Sequence, residues 1–292
     1  MIKIGIAGAS GYTGLELIRL LNGHPDVELA FLTSEMFQGQ NISEVFPSLN
    51  RVVDLTLRPL DDSITKDCSV LFLALPHLAV MDKLPVYLQS DCKIIDLSAD
   101  YRLKDPKAYS DWYSVRHTHP ELLEQAVYGL PELYREAIQT AQFIANPGCY
   151  PTSVILALAP LLKTGWVDLG SIISDSKSGV SGAGRKPSLT THYTEVNEGI
   201  SPYALGSHRH TPEMEQELSV LAEKPVRMTF SPHLVPMTRG MLSTVYINLN
   251  KAISDEKLVE HYRNFYKNEH FVRVLNPGKF ASSNHVLSSN FC

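Results

Sequence analysis

The residue with the most distinctive chemical surroundings is Cys149. It lies in FIANPGCYPTSVILALAPLL, between a short apolar run and a longer one, inside the tight turn Asn146-Pro147-Gly148-Cys149-Tyr150-Pro151. A thiol at a helix start faces N–H groups that have no intrahelical partner and the positive end of the helix dipole. Both stabilise a thiolate. The same N–H groups can steady an oxyanion once the sulfur attacks a carbonyl. Gly148 lets a substrate approach closely, and the prolines fix the turn. The competing reading is a buried structural cysteine, but Pro-Gly-Cys-Tyr-Pro is poor material for filling a core.

A nucleophilic cysteine needs a group that moves protons. Among 11 histidines, His208 and His210 flank Arg209 just before Thr211-Pro212-Glu213, a sequence suited to a helix start. Residues at i and i+2 of an extended segment share a face, so both imidazoles can point into one cleft. A solvated helix entrance is the alternative. His77, in Leu75-Pro76-His77 after a strand, lies where sheet-end loops meet a cofactor, or serves only the loop. Arg185 ends Ser181-Gly182-Ala183-Gly184-Arg185, a small-residue loop whose backbone N–H groups suit a phosphate or carboxylate. Arg102, in Ser98-Ala99-Asp100-Tyr101-Arg102, is a second candidate anion ligand. No Cys or His grouping has metal-ligand spacing.

Gly8-Ala9-Ser10-Gly11-Tyr12-Thr13-Gly14 follows the first strand and opens the first helix. Glycines there allow a sharp turn and close approach of a pyrophosphate, whose charge the helix N-terminus holds. The spacing is G-x-x-G-x-x-G, and a tight strand-to-helix connection without a ligand is the alternative. The second strand ends Leu32-Thr33-Ser34-Glu35. Ser34 can hydrogen-bond a 2′-phosphate, whereas an acid at this place favours a free 2′-hydroxyl.

These residues need a frame. In the first half, strands at 2–7, 27–32, 70–74 and 93–97 alternate with helices at 14–21 and 79–88. That rhythm predicts a parallel sheet with right-handed crossovers. In the second half a helix at 150–162 precedes strands at 170–175, 226–230 and 241–249 and a helix at 255–266, which reads as a mixed-sheet domain. The expected fold is α/β, with a Rossmann-type dinucleotide-binding domain over 1–148 and an α+β catalytic and oligomerisation domain over 149–292. The chain has 292 residues, 44% hydrophobic and 20% charged, and a net charge of −5, which argues against nucleic-acid or anionic-membrane partners. No apolar run is long enough to span a bilayer. The N-terminus reads directly as a strand, so a cytoplasmic location is expected. Four cysteines without a C-x-x-C pair do not make a disulfide framework. Cys68 and Cys92 each open an apolar run and read as buried strand residues.

GASGYTG at 8–14, NPGCYPT at 146–152, SGVSGAGRKP at 178–187 and HRHTPE at 208–213 together resemble the N-acetyl-γ-glutamyl-phosphate reductases, relatives of aspartate-semialdehyde dehydrogenase. DLSADYR at 96–102, YGLPEL at 128–133 and PHLVPMTRG at 232–240 add smaller matches, in order along the whole chain. The resemblance implies NADPH-dependent reduction of N-acetyl-γ-glutamyl phosphate, with release of phosphate, through a thioester on Cys149. It implies a fold similar to glyceraldehyde-3-phosphate dehydrogenase and a homodimer or homotetramer. His208 or His210 becomes the acid/base, His208 being preferred. Gly8, Ser10, Gly11, Tyr12, Thr13, Gly14, Ser34, Pro76, Ser98 and Gly182 form the expected cofactor set. Arg102, Asn146 and Arg185 form the expected substrate set. Members of that family often carry a basic residue past the second strand. Glu35 and Gln40 stand here instead, so NAD remains open beside NADP. They also continue beyond an SNFC-like segment, where this sequence ends at Cys292, which makes it read as a truncated form. The rival readings are an aspartate-semialdehyde dehydrogenase, whose cysteine motif differs and which lacks HRHTPE; a cysteine hydrolase or acyltransferase, which would not need the glycine turn; and an NADP-binding regulator without chemistry.

Overall fold

The computed structural model describes every residue from Met1 to Cys292, and the chain forms two compact units, Met1–Pro147 and Gly148–Cys292. In the first unit, β1 (Ile2–Ala7), β2 (Val27–Thr33), β3 (Leu57–Arg58), β4 (Val70–Leu73), β5 (Lys93–Asp96), β6 (Val127–Tyr128) and β7 (Phe143–Ala145) make one sheet. Its order is β3-β2-β1-β4-β5-β7-β6, and every pairing is parallel. The helices are α1 (Tyr12–Asn22), α2 (Ile42–Val45), α3 (Leu84–Tyr87), α4 (Pro106–Tyr113) and α5 (Pro131–Thr140).

Alternation along the strands feeds two cores. Ile4, Ile6 and Leu32 pack with Ile18 of α1 on one face. Ala7, Leu71, Leu73 and Ile94 pack with Tyr87, Tyr101 and Phe143 on the other. Burying each large aliphatic side chain contributes roughly 1.5–3 kcal/mol, so a sheet covered on both faces is stable without polar edges on its central strands. The chain leaves β1 for β2 and β3, then returns to β1's other side as β4. That reversal puts the 8–14 turn at the crevice outside the carboxyl ends of the strands.

The crossover at 79–88 is less helical than its sequence predicts: only Leu84–Tyr87 is α-helical. Pro85 has no N–H to give the Met81 carbonyl, and the Tyr101 hydroxyl donates to that oxygen instead, at 3.1 Å.

The second unit contains α6 (Cys149–Leu158), β8 (Ile173–Gly179), α7 (Tyr193–Val196), β9 (Ser201–Pro202), α8 (His210–Ala222), β10 (Thr229–Val235), β11 (Met241–Tyr246) and α9 (Asp255–Phe265). Its sheet runs β11-β8-β10-β9; β8 and β10 are parallel, the outer pairs antiparallel. β8 starts later than predicted because Asp168 Oδ1 accepts the Gly170 N–H at 2.9 Å and closes a turn there. The strand then carries buried serines that do not look apolar in sequence. Ser176 and Ser153 of α6 each bond the Ser243 hydroxyl at 2.7 Å, which ties α6 to the sheet.

α6 is buried on all sides, with Val154, Ile155 and Leu158 at most 1% exposed. It gives way to a 3₁₀ turn at Ala159–Leu161, where Pro160 removes a donor. α9 and the residue after it satisfy the released carbonyls: Tyr266 donates to Leu156 O (2.6 Å), Tyr262 to Ala157 O (2.5 Å), and His261 Nε2 lies 2.6 Å from Pro160 O. No helix is long and apolar enough to cross a membrane.

Candidate active site

β7 ends at Ala145, the chain turns, and Cys149 becomes the first residue of α6. Cys149 is exposed while Gly148 and Tyr150 on either side of it are buried, so the thiol alone of this turn faces outward. No side chain caps the helix. Its dipole therefore meets whatever negative charge develops at the sulfur. The Gly148 N–H donates to Glu213 Oε1 at 2.8 Å, and Glu213, in the first turn of α8, is 1% exposed. The Gly148 carbonyl accepts from the Thr152 hydroxyl at 2.9 Å. Both ends of Gly148 are thus fixed.

The same glycine places the imidazole. A Cβ on Gly148 would lie 2.5 Å from His210 Nε2 and 2.7 Å from its Cε1. His210 therefore rests on the residue preceding the thiol, with Nε2 foremost, and only a residue without a side chain admits it there.

His208 is placed differently. Its ring is boxed by Tyr150, Tyr203, Phe230 and His210, with centroids 5.5, 5.4, 5.2 and 4.8 Å away. Its Nδ1 accepts the His210 N–H at 3.1 Å, so the neutral ring carries its proton on Nε2. Burial, reinforced by the charges of His210 and Arg209, pushes its pKa down to about 3. That bond ties the His208 ring to the backbone of His210. Tyr203 donates to the Tyr150 hydroxyl at 3.0 Å, and burial raises the pKa of both phenols, so they stay protonated.

In the first unit, Gly8 has φ +81 and a Cβ there would sit 2.3 Å from the Ala74 carbonyl. The chain can make this turn only with glycine. No side chain caps α1. Ser10 and Ser34 share a hydroxyl–hydroxyl bond of 2.8 Å, which brings the glycine turn and the end of β2 together. The exposed Glu35 turns away, accepting the Leu60 N–H at 3.4 Å. This donor set fits a dinucleotide: an uncapped helix N-terminus behind a glycine turn, with hydroxyls rather than an acid at the second strand.

Other expected site residues are engaged elsewhere. Arg102 is 6% exposed; its Nε donates to Asn146 O (2.7 Å) and its Nη2 to Leu97 O (2.8 Å). These two bonds clamp the turn at Asn146. Burial decides this, because the loop carbonyls at the sheet end need a donor. The Asn146 side chain bonds its own turn, at Pro147 O. Ser98 is 2% exposed and gives its hydroxyl to Asp96 Oδ2 at 2.8 Å. His77 Nδ1 accepts the Ala99 N–H at 3.2 Å. Pro76, Gly182 and Arg185 are exposed.

Glu213, Asp96 and Asp100 were not singled out by the sequence. Glu213 read as a helix-start residue, yet its place in HRHTPE, three residues after His210, puts it one turn along the same helix. Both Asp100 oxygens accept the Leu78 N–H (3.0 and 2.9 Å) and hold that residue at φ +75. Asp96 is fully buried, and burial lifts its pKa to about 7.

Comparison with known proteins agrees with this layout. Residues 3–141 match the semialdehyde dehydrogenase NAD binding domain and residues 149–292 the semialdehyde dehydrogenase dimerisation domain. An N-acetyl-gamma-glutamyl-phosphate reductase from Geotalea daltonii is 52% identical, covering 100% of this chain and 85% of its own. Its counterpart from Pelobacter propionicus is 53% identical with the same coverage. Among solved structures, aspartate semialdehyde dehydrogenase II from Vibrio cholerae is similar with a TM-score of 0.70 at 15% identity, over 97% of this chain and 83% of that one. The aspartate semialdehyde dehydrogenase of Candida albicans, solved with NADP, gives 0.66 at 14% identity, over 97% and 85%.

Proposed function

Because the chain belongs to the semialdehyde dehydrogenase family and, within it, to the N-acetyl-γ-glutamyl-phosphate reductases, we propose that Cys149 is the nucleophile of that reaction and His210 its proton carrier. The enzyme reduces N-acetyl-γ-glutamyl phosphate to the corresponding semialdehyde in arginine biosynthesis. The observation that carries the residue assignment is the contact of His210 Nε2 with the glycine preceding an exposed, helix-starting thiol.

The Cys149 sulfur attacks the acyl carbon of the mixed anhydride. The carbonyl oxygen takes up negative charge in front of the uncapped α6 terminus, and as the carbonyl re-forms the bond to the phosphate oxygen breaks. Phosphate leaves with the electron pair, and a thioester remains on Cys149. When bound, the reduced nicotinamide supplies the hydride that converts this thioester to the aldehyde and frees the thiolate. His210 accepts the thiol proton before attack and returns a proton where negative charge must be quenched. Glu213 fixes the turn and His208 fixes His210; neither touches the reacting carbon in this scheme. Arg185, exposed at the end of a small-residue loop, suits the substrate's anionic groups.

The cofactor is NADP, held by Gly8, Ser10, Gly11, Tyr12, Thr13, Gly14 and Ser34. The Ser10–Ser34 hydroxyls suit a 2′-phosphate, and the Glu35 carboxylate is turned from them. A second copy of the chain is the partner. α6 covers one face of the four-stranded sheet, while the other exposes Ile173 (44%), Leu242 (39%) and Tyr246 (56%) around the ion pairs of Asp175 with Lys177 and His233. Tyr246→Glu should shift the mass measured by light scattering towards the monomer. An unchanged mass would place the interface elsewhere.

The test of the reaction runs it backwards: phosphate, N-acetylglutamate semialdehyde and NADP, with reduced cofactor followed by absorbance. Aspartate semialdehyde and NAD are the comparison substrate and cofactor. Faster turnover of aspartate semialdehyde, or an undiminished rate in Cys149→Ser, would overturn the reading.

A further inference from the structure

Two cysteines that play no part at the Cys149 turn meet at the opposite end of the first sheet. Cys68 precedes β4 and Cys92 precedes β5, and these strands are neighbours, with Val70 beside Lys93. Ser69 N–H bonds Lys3 O at 2.8 Å, so the pair sits at the amino ends of the strands, away from the 8–14 turn at their carboxyl ends. The two Sγ atoms are 3.6 Å apart; a disulfide holds them at about 2.0 Å, so a side-chain movement of less than a bond length and a half separates the two states. Cys92 is 4% exposed. Cys68 is half-buried and lines an open cleft of about 470 Å³ together with Lys3, Glu28, Arg58, Lys66 and Asp67. Arg58 pairs with Asp67 at 2.7 Å, which leaves two lysines against one glutamate in the cleft wall.

We propose that Cys68 and Cys92 are a modification site: a dithiol that a hydroperoxide converts to a reversible disulfide, with Cys68 reacting first. The cleft gives the peroxide a route to Cys68. The hydrogen bond between the thiols pulls Cys68 below the usual cysteine value, and with burial it holds Cys92 above that value. Exposure makes the two roles unequal: the half-buried Cys68 is the attacking sulfur and the buried Cys92 the resolving one. The Cys68 sulfur attacks a peroxide oxygen, the O–O bond breaks, and water leaves as Cys68 becomes a sulfenic acid. The Cys92 sulfur then displaces the sulfenic oxygen as a second water, and the S–S bond forms. Two thiols and one hydrogen peroxide yield one disulfide and two waters. The bond joins the entrance of β4 to that of β5.

The test uses the full chain with Cys149→Ser and Cys292→Ser, which removes the two exposed thiols. Stoichiometric hydrogen peroxide should lower the intact mass by two hydrogens and link the peptides containing residues 68 and 92 within one molecule, and dithiothreitol should reverse both changes. Adding Cys92→Ser should stop the reaction at a dimedone-reactive Cys68. The proposal is overturned if, after the peroxide dose, both cysteines still alkylate on unfolding. It is equally overturned if Cys68 advances to sulfinic acid while Cys92 stays reduced.

Discussion

Residues 8–14 and residues 146–149 are the same construction used twice. In each, a buried strand ends, a glycine allows a close approach that a side chain would block, and a helix starts without a side-chain cap. The glycines differ in what they admit. Gly8 admits the backbone of Ala74, which closes the turn, whereas Gly148 admits the imidazole of His210. The helices differ as well: α1 buries only Gly14 and Ile18, while α6 is buried on all sides. A half-exposed helix start leaves broad access for a large anionic ligand. A largely buried helix with one exposed residue at its tip holds that residue in a single place. In the function proposed above, the same amide dipoles serve binding in one unit and covalent chemistry in the other.

The comparison is broken most severely at the sulfur. Cys149→Ser should lower turnover by about 10⁴-fold or more and leave the Kd for NADP unchanged, because the glycine turn is untouched. Loss of cofactor binding would mean the two turns are not separable.

Next comes the imidazole. His210→Asn and Gly148→Ala should each cost about 10²–10³-fold in kcat, the second by displacing the ring. Their double variant should cost little more than either alone, since both remove one interaction. Burial pushes the His208 pKa down to about 3, so an acid limb carried by His210 should vanish in His210→Asn and persist in His208→Gln. Additive losses would show that Gly148 acts independently of His210.

Ser34→Ala sharpens the other side. It should raise the KM for NADP by about 10-fold, about the loss of one charge-assisted hydrogen bond, and change that for NAD little. An equal effect on both cofactors would remove Ser34 from the phosphate.

The smallest effect concerns the scaffold beneath the turns. Asp96 holds its proton up to about pH 7 when folded but only to about pH 4 when unfolded. Its contribution to stability is therefore complete below pH 4 and is lost as pH rises towards 7. Thermal melts between pH 5 and 8 should fall with pH in the wild type and flatten in Asp96→Asn.

DLSADYR illustrates how far sequence reading reaches. The motif lies where a strand ends, as expected, but its polar residues serve loops. Ser98 bonds Asp96, Asp100 holds Leu78, and Arg102 holds Leu97 and Asn146. An arginine after a strand looks the same in sequence whether it faces a ligand or a carbonyl, since burial separates the two. HRHTPE shows the converse. The motif was visible, but the preference for His208 over His210 is opposed by the aromatic box that closes on His208. Cys68 and Cys92, 24 residues apart, read as two unrelated core residues until parallel pairing set them side by side.

Local patterning by itself determined the strand–helix rhythm of the first unit, the glycine turn and the cysteine at a helix start, because each depends on side-chain types a few residues apart. Packing decided which histidine rests against Gly148, which arginine is buried and which cysteines meet. Those outcomes depend on what is buried against what, and burial is set by contacts between segments far apart in the chain.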